Sequence, residues 1–508
     1  MASAGALLLT SVGRWRSRLL ARAFGLTLLT LQWKHVASLW GEPRHVTLSD
    51  KALLAVALGL LALGSRVVAL LVAAPVAFLA MLERVFRPSG DASQVADEYL
   101  LYAVAPGFTL LAAALAARET SPLRGAPLAA RLGGRDVDHA VVNVSRLLVV
   151  VTMFFAGFHK LNVDFLNEGT SCHRMLTQRL LQWWTLPSEL LAPLRPVHIV
   201  AGELGAALAL RFAPRLGVLL VGALVTGFVH VGPVAFGVAC LTLSLSFLRD
   251  EDGDRAWRVV RRAWPLAVAA GAVVLVGSAR LHRSPLLWSR FAIYEVTLVA
   301  TVFLVAGLIA GDLLAARARL ARGAGARRAL AAALGQPPAG RRRPRPGPSS
   351  RALQLGLAAF LVAQGLAPYT GLKLRLSFAM LSNLRADDAR QNHLFMPRVS
   401  LVGAESPFVE IARASFTTDE DAAVGRELGV TLPPRGLVAA WIVQGALDDA
   451  RATGVRFDLE VRDADGSTRA IVDAARDRVF VAHVGRRATW SRLFQKTISG
   501  AQPQRCVH

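Results

Sequence analysis

Long apolar runs, rather than alternation, dominate the first 369 residues of the chain. Stretches close to the length that crosses a hydrocarbon core, about 20 residues with a range of about 17 to 25, lie near 18–36, 51–82, 99–117, 141–159, 197–212, 214–248, 264–279, 291–315 and 352–369. Two are too long for one crossing. Gly64, Ser65 and Arg66 interrupt the run 51–82, and His230, Gly232 and Pro233 interrupt 214–248, so each reads as a hairpin of two short helices. The pattern predicts an all-α polytopic membrane bundle of about nine to eleven helices or half-helices. After residue 370 the pattern changes to short β-like runs: Gly436–Val443, Val455–Val461, Arg469–Val472 and Val479–Val484, with a turn signal at Asp463, Asp465 and Gly466. These predict a small extracytoplasmic α+β C-terminal domain, so the organisation read here is 1–369 and 370–508.

Composition agrees with the pattern. Of 508 residues, 54% are hydrophobic and only 18% charged, with a mean hydropathy of +0.43, against roughly 45–50% apolar and 25% charged for soluble domains. The formal charge is +23, which could suggest nucleic-acid binding, but residues 370–508 carry only +3 of it and the greasy part +20. Basic residues punctuating apolar runs follow the positive-inside rule, whereas a nucleic-acid binder shows a basic face on a soluble module. Nucleic acid is therefore excluded as a partner and the lipid bilayer is expected. Loop 316–351 has ten Arg and no acid, among them Arg341, Arg342 and Arg343 amid Pro and Gly. It reads as a cytoplasmic linker able to touch anionic lipid. Placing it and the N-terminal arginines inside puts Lys160 and the C-terminal domain on the extracytoplasmic face. The preference for Arg over Lys suits a GC-rich bacterial gene, and hence a bacterial inner membrane.

The three cysteines, Cys172, Cys240 and Cys506, show no CxxC spacing, so neither a disulfide framework nor a zinc finger is expected, and Cys172 beside His173 lacks a second ligand pair. The arginines at 14, 16, 18 and 22 follow the first leucines, the wrong order for a cleaved signal peptide. Asn143–Val144–Ser145 fits a glycosylation acceptor but falls on the cytoplasmic side in this topology. No nucleotide-binding or nucleophile-elbow motif stands in a usable strand-to-helix context.

Candidate chemistry concentrates in Met153–Leu166, MFFAGFHKLNVDFL, where an apolar helix delivers His159 and Lys160 at its outer end, followed by Asn162 and Asp164. Two readings of Lys160 are open: a side chain snorkelling to the headgroups, or a desolvated amine able to act as a base. His159 sits about 100° round the helix from Lys160 and reads as packing. Glu203 and His230 lie in apolar runs, where an ionisable group is either functional or a hydrogen bond between helices. Ser382, Asn383, Arg385, Asn392 and His393 crowd the polar segment after the last helix, as a roof binding a polar substrate head or as an ordinary capped loop.

The run AGFHKLNVDFL resembles the AGxxKLxxDW(L/V) segment of the vitamin K-dependent gamma-carboxylases and their bacterial relatives, the horizontally transferred transmembrane (HTTM) domain proteins. Other pieces fall in the family's order: Arg146 before the motif, a helix with Glu203, then FVHVGPVAFGVACLTLSL with His230 and Phe236, and finally Pro368 to His393 with Ser377, Phe378 and Met380. The likeness spans roughly residues 140 to 400. It implies that Lys160 is the base that deprotonates a reduced quinone such as vitamin K hydroquinone; with O2 and CO2, the family's quinol then drives carboxylation of peptidyl glutamate, giving the epoxide. Arg146, Glu203, His230 and His393 are the candidate partners of Lys160 in this enzyme reading. Ser377 and Met380 from that segment, with Asn383, Arg385, Asn392 and His393 from the polar crowd, are the candidate binders of an extracytoplasmic peptide or small molecule. Where the family has Asn-Asn-His-x-Tyr, the chain has Gln94–Tyr102 with Asp97 and Glu98 and no His. The alternative reading is a non-catalytic transport or scaffold protein built on the same helices.

Overall fold

The computed structural model describes residues 21–29, 48–63, 68–86, 97–119, 135–174, 193–231, 234–248, 348–370, 390–396, 408–428, 430–463 and 466–491, with a few short stretches besides. Up to residue 370 the described residues are mostly helical. After a helix at 21–29 come α1 (Leu48–Leu63), a π-turn at Ala69–Ala73 running into α2 (Ala74–Phe86), α3 (Asp97–Glu119), α4 (Arg135–Phe158) and the single turn α5 (Val163–Leu166). Then follow α6 (Pro196–Phe212), α7 (Pro214–Val231), α8 (Val234–Ser244) and α9 (Pro348–Leu366), the last closed by a 3₁₀ turn at Ala367–Thr370. In the two long apolar runs α1 packs on α2 and α7 on α8, with α7 continuing through His230 to Val231 and Gly64, Ser65, Arg66, Gly232 and Pro233 lying outside the described residues.

Helix α4 is the hub, packed against α3, α6, α8 and α9. Its core positions recur at helical spacing, with Val137, Val144, Leu148 and Met153 fully buried. Small residues let the N-terminal helices approach closely: Ala57, Ala73, Ala77, Ala112, Ala113 and Ala116 are all in the same core. One polar contact joins helices far apart in sequence, Thr27 Oγ1 to Thr242 Oγ1 at 3.0 Å. By length and composition alone, Val137–Phe158 and Arg351–Thr370 are long enough to cross a bilayer, and five further described helices are apolar but shorter. The segments expected at 264–279 and 291–315 and the Arg-rich loop 316–351 lie almost wholly outside the described residues.

The C-terminal region is α+β. Strands β3 (Phe408–Phe416), β4 (Gly436–Ala439), β5 (Phe457–Arg462), β6 (Thr468–Ile471) and β7 (Thr497–Ile498) form one antiparallel sheet in the order β6-β5-β3-β4-β7. The hairpin β1 (Ala386–Asp387) and β2 (Arg390–Gln391) precedes it. Alternation along β5 buries Phe457, Leu459 and Val461 against α11 (Ala440–Thr453) and α12 (Arg478–Ser491). The other face carries exposed ion pairs, Arg462 with Glu410 at 3.1 Å and Arg413 with Glu460 at 3.9 Å. Such pairs keep that face solvated more than they stabilise it. Helix α10 (Asp419–Glu427) is capped by Thr418, and burial of the Asp421 carboxylate is offset by acceptance from Thr418 Oγ1 and Arg456 N. Those hydrogen bonds hold Asp421 below the usual carboxylate range.

Three expectations are corrected. Val479–Val484 is helical, because Phe480, Val484 and Ala488 share one face at four-residue spacing and Asp477 caps the start by accepting from Phe480 N at 2.9 Å. The β-branched residues misled a short window. Gly436–Val443 is strand only to Ala439, after which the chain turns directly into α11. The central strand β3 was not among the expected strands, its alternation being broken by a register shift between Ile411 and Arg413. The turn at Asp463 and Gly466 is found as read, with Gly466 at φ 85°.

The sheet domain seats on the ends of α4 and α9. Phe408 and Ala439, flanked by Trp441, pack on Tyr369, Leu384, Phe158 and Leu366. One glycine sets the approach of α9 to α4: a Cβ on Gly365 would run into the Phe155 ring, itself buried and held edge-on by Phe154 and Phe158. Gly365→Ala is expected to lower stability by about 1–3 kcal/mol through overpacking. Gly356→Ala on the same helix, where nothing lies within 4 Å of a new Cβ, is expected to be neutral or to stabilise by up to about 1 kcal/mol. Thermal unfolding of the two variants in detergent checks the pair.

Candidate functional site

The last turns of α4 tighten as the helix ends. Lys160 N donates to Gly157 O and Leu161 N to Phe158 O, i to i−3 bonds in place of i to i−4. Asn162 then serves two helices at once. Its Nδ2 donates to His159 O at 2.7 Å, closing α4, and its Oδ1 accepts from Phe165 N at 2.8 Å, capping α5. Lys160 is thereby fixed between the two, with its side chain turned back along α4.

The Lys160 side chain does not snorkel; it is buried. Its Nζ donates to Ala156 O at 3.1 Å and to Glu203 Oε1 at 3.0 Å, and lies 2.9 Å from Glu203 Oε2. Side-chain exposure is 6% for Lys160 and 1% for Glu203. Oε2 is close to Nζ but out of hydrogen-bonding alignment, and it accepts no hydrogen bond among the described residues. The pair forms because α6 runs unusually close to α4 here: a Cβ on Gly157 would stand 2.9 Å from Leu204 Cγ and 3.1 Å from Glu203 Cβ. Phe165 covers the ammonium from α5, its ring centroid 5.9 Å from Nζ.

His159 is fully buried, and its Nδ1 is 2.8 Å from Tyr369 Oη at the end of α9. Tyr369 was not singled out from sequence, although a tyrosine closing the last apolar helix, one of four in the chain, was the available signal. Asn392 and His393 are brought to the site by backbone pairing across 230 residues. Val163 N donates to Asn392 O and Leu394 N to Leu161 O, each at 3.0 Å. Asn392 Nδ2 donates to Asp164 Oδ2 at 2.7 Å. His393 Nε2 donates to Phe158 O at 2.9 Å, while its Nδ1 accepts from Phe395 N and Met396 N at 3.2 and 3.1 Å. Those partners admit only the neutral ring protonated at Nε2. Burial pushes the His393 pKa below its ordinary value near 6.5, against the raising effect of the Phe158 carbonyl.

Arg146 is not part of this constellation. It lies fourteen residues before Lys160, about 21 Å along α4, and instead donates through Nε to Ser246 O at 3.1 Å with its guanidinium over the Phe247 ring. Motif order placed it with Lys160; the helical rise separates them. His230 belongs to α7, but its side chain lies outside the described residues, as do Ser377, Met380, Asn383 and Arg385. The adjacent Cys172 and His173 have structural roles: Cys172 is disulfide-bonded, against the expectation of no disulfide, and His173 Nε2 donates to Leu194 O at 2.6 Å. Cys240 is free and buried, and Cys506 lies outside the described residues. Among the described residues, no group of three or more His, Cys, Asp or Glu is placed to hold a metal.

What this geometry can do is hold one mobile proton between a buried amine and a buried carboxylate, with a second acceptor oxygen beside it. No family model, curated protein or solved structure matches this chain.

Two measurements test the site's physics. Glu203→Gln leaves the Lys160 ammonium without its counter-charge and is expected to destabilise by about 3–5 kcal/mol, whereas Lys160→Met combined with Glu203→Leu is expected to recover most of that loss; thermal denaturation of both variants checks it. A folded pKa lowered at His393 means stability intact above its ordinary value and lost as pH falls through the lowered one. Amide exchange at 392–396, corrected for its intrinsic rate, is expected to be faster at about pH 5 than at about pH 8. His393→Phe is expected to remove the difference.

Proposed function

We propose that this chain is a multi-pass membrane protein of the HTTM and gamma-carboxylase-like kind, in which the Lys160–Glu203 pair is the base toward a quinol or lipid-like hydroxyl reaching it from the bilayer. The membrane part of the reading rests on apolar exposure. Helix α4 is 24 residues long, about 36 Å, against a hydrocarbon core of about 30 Å. Helix α6 presents an outward stripe of Val197, Ala201, Leu208 and Phe212 at helical spacing, and Leu355 and Leu79 stand out from α9 and α2. Water would leave these unpartnered; acyl chains cover them.

The observation that carries the chemistry is the buried pair with an unused carboxylate oxygen. Ammonium with carboxylate and amine with carboxylic acid carry the same net charge and differ by one proton transfer across 3.0 Å. In the second form Nζ presents a lone pair that takes the proton of a substrate hydroxyl, leaving an oxyanion beside the ammonium while the carboxyl group keeps its own proton. Glu203 Oε2, accepting no hydrogen bond, can orient that hydroxyl. A quinol, when bound, supplies a weakly acidic O–H and the reducing electrons. Asn162 fixes the backbone that carries Lys160 and the Ala156 carbonyl holds Nζ, and the burial of the pair keeps the proton from leaking to water.

A second reading is favoured by one specific feature. Ala156 O and Glu203 Oε1 both accept from Nζ, and the charge of Oε2 stands 2.9 Å away, the arrangement of a clamp between α4 and α6 in a non-catalytic transport or scaffold protein. Quinol oxidation and labelled bicarbonate incorporation by the purified protein, with a glutamate-containing peptide present, separate the two. The catalytic reading expects wild-type quinol turnover and a loss of about 100-fold or more in Lys160→Met. A folded wild type without turnover, or a Lys160→Met variant as active as wild type, leaves the clamp.

A further inference from the structure

The two segments that pair just beyond Lys160 do more than cap helices. Val163, Leu394 and Phe395 project from them with 58%, 47% and 69% of their surface exposed. This exposure is built in. The strands exchange Val163 N to Asn392 O and Leu394 N to Leu161 O, Asn392 is tied to Asp164, and His393 pins its own following residues to the Phe158 carbonyl. A backbone held at so many points has no freedom to fold three large apolar side chains inward, so their outward direction is a property of the fold.

The position of this rim identifies what covers it. Val163 comes five residues after Phe158, the end of the 22-residue apolar span Val137–Phe158. The chain does not climb away from the helix ends, because α5 lies down on the first turns of α6, with Phe165 packed on Val200 and Ile199. Leu194 and Val197, exposed where α6 begins, carry the apolar surface on toward Leu208 and Phe212 of the outward stripe. Arg195 and Glu168, both exposed and 3.7 Å apart, flank the patch with charge. Apolar and aromatic side chains at the ends of apolar helices, continuous with a lipid-facing stripe and edged by charge, have the composition of a headgroup-level belt.

We propose that the paired segments 161–166 and 392–396 form a rigid apolar rim seated in the interface of the leaflet at the C-terminal end of α4. The rim rests on the membrane reading above and adds a consequence to it: Lys160 lies directly beneath lipid headgroups, where a membrane-dissolved substrate approaches sideways.

The test uses the full-length protein in lipid nanodiscs with a bimane fluorophore on Phe395→Cys, and separately on Val163→Cys. Cys172 is disulfide-bonded and Cys240 buried. Each labelled variant is quenched with phospholipid carrying a nitroxide at the headgroup, with phospholipid carrying it midway along the acyl chain, and with aqueous iodide. Leu208→Cys reports the lipid-facing stripe and Glu420→Cys the solvated domain surface. The rim predicts loss of most emission at 395 and 163 with the headgroup nitroxide and little with iodide. Quenching of the Leu208→Cys label by the acyl-chain nitroxide, with iodide alone quenching 395 and 163, overturns the rim and leaves the membrane reading standing. Protection of 395 and 163 from all three quenchers overturns it in favour of a protein partner. A Leu208→Cys label quenched by iodide and by neither lipid removes the membrane reading itself.

Discussion

An ammonium group withdrawn from water has to be met by acceptors, and the rest of the site follows from how Lys160 meets them. The desolvation of a buried ion pair is repaid only at close range and good alignment. Glu203 can come that near only because residue 157 is a glycine and α6 slides in against it. The same turn of α4 must then end abruptly, so that Nζ points back to Ala156 O rather than out along the helix. Asn162 ends it, satisfying the His159 carbonyl and starting α5 with one side chain.

From that turn the order spreads outward. Segment 392–396 pairs with the backbone just beyond Lys160, and His393 locks it with a neutral ring that donates on one side and accepts on the other. His159 and Phe158 face Tyr369, where the sheet domain sits through Phe408, Ala439 and Trp441. The α+β domain and the helical bundle thus share a polar and aromatic junction at the end of α4. His159, next to Lys160, and the backbone just beyond it are thus tied to segments more than 200 residues away.

Much of this was legible in the residues. The apolar runs at 51–82, 99–117, 141–159, 197–212, 214–248 and 352–369, and the change of pattern after residue 370, correspond to described elements. Lys160 and Glu203 stood out because an ionisable side chain inside an apolar helix is costly and so is retained for a reason. Asn392 and His393 stood out as a polar crowd after a long helix. Short windows failed where two periods compete: Val479–Val484 has the β-branched composition of a strand, while its burial at 480, 484 and 488 is that of a helix. Arg146 was grouped with Lys160 by order along the chain, which carries no information about the distance a rigid helix puts between them.

The sequence by itself determined which residues have to leave water and which must be paired if they do, because transfer free energies are properties of side chains. It could not say who the partners are. The Lys160–Glu203 pair spans 43 residues, Tyr369 reaches His159 across 210, and His393 reaches the Phe158 carbonyl across 235. Such pairings depend on which helices pack and how closely, and that is decided by small residues such as Gly157 and Gly365. Their effect appears only when a second helix lies against them.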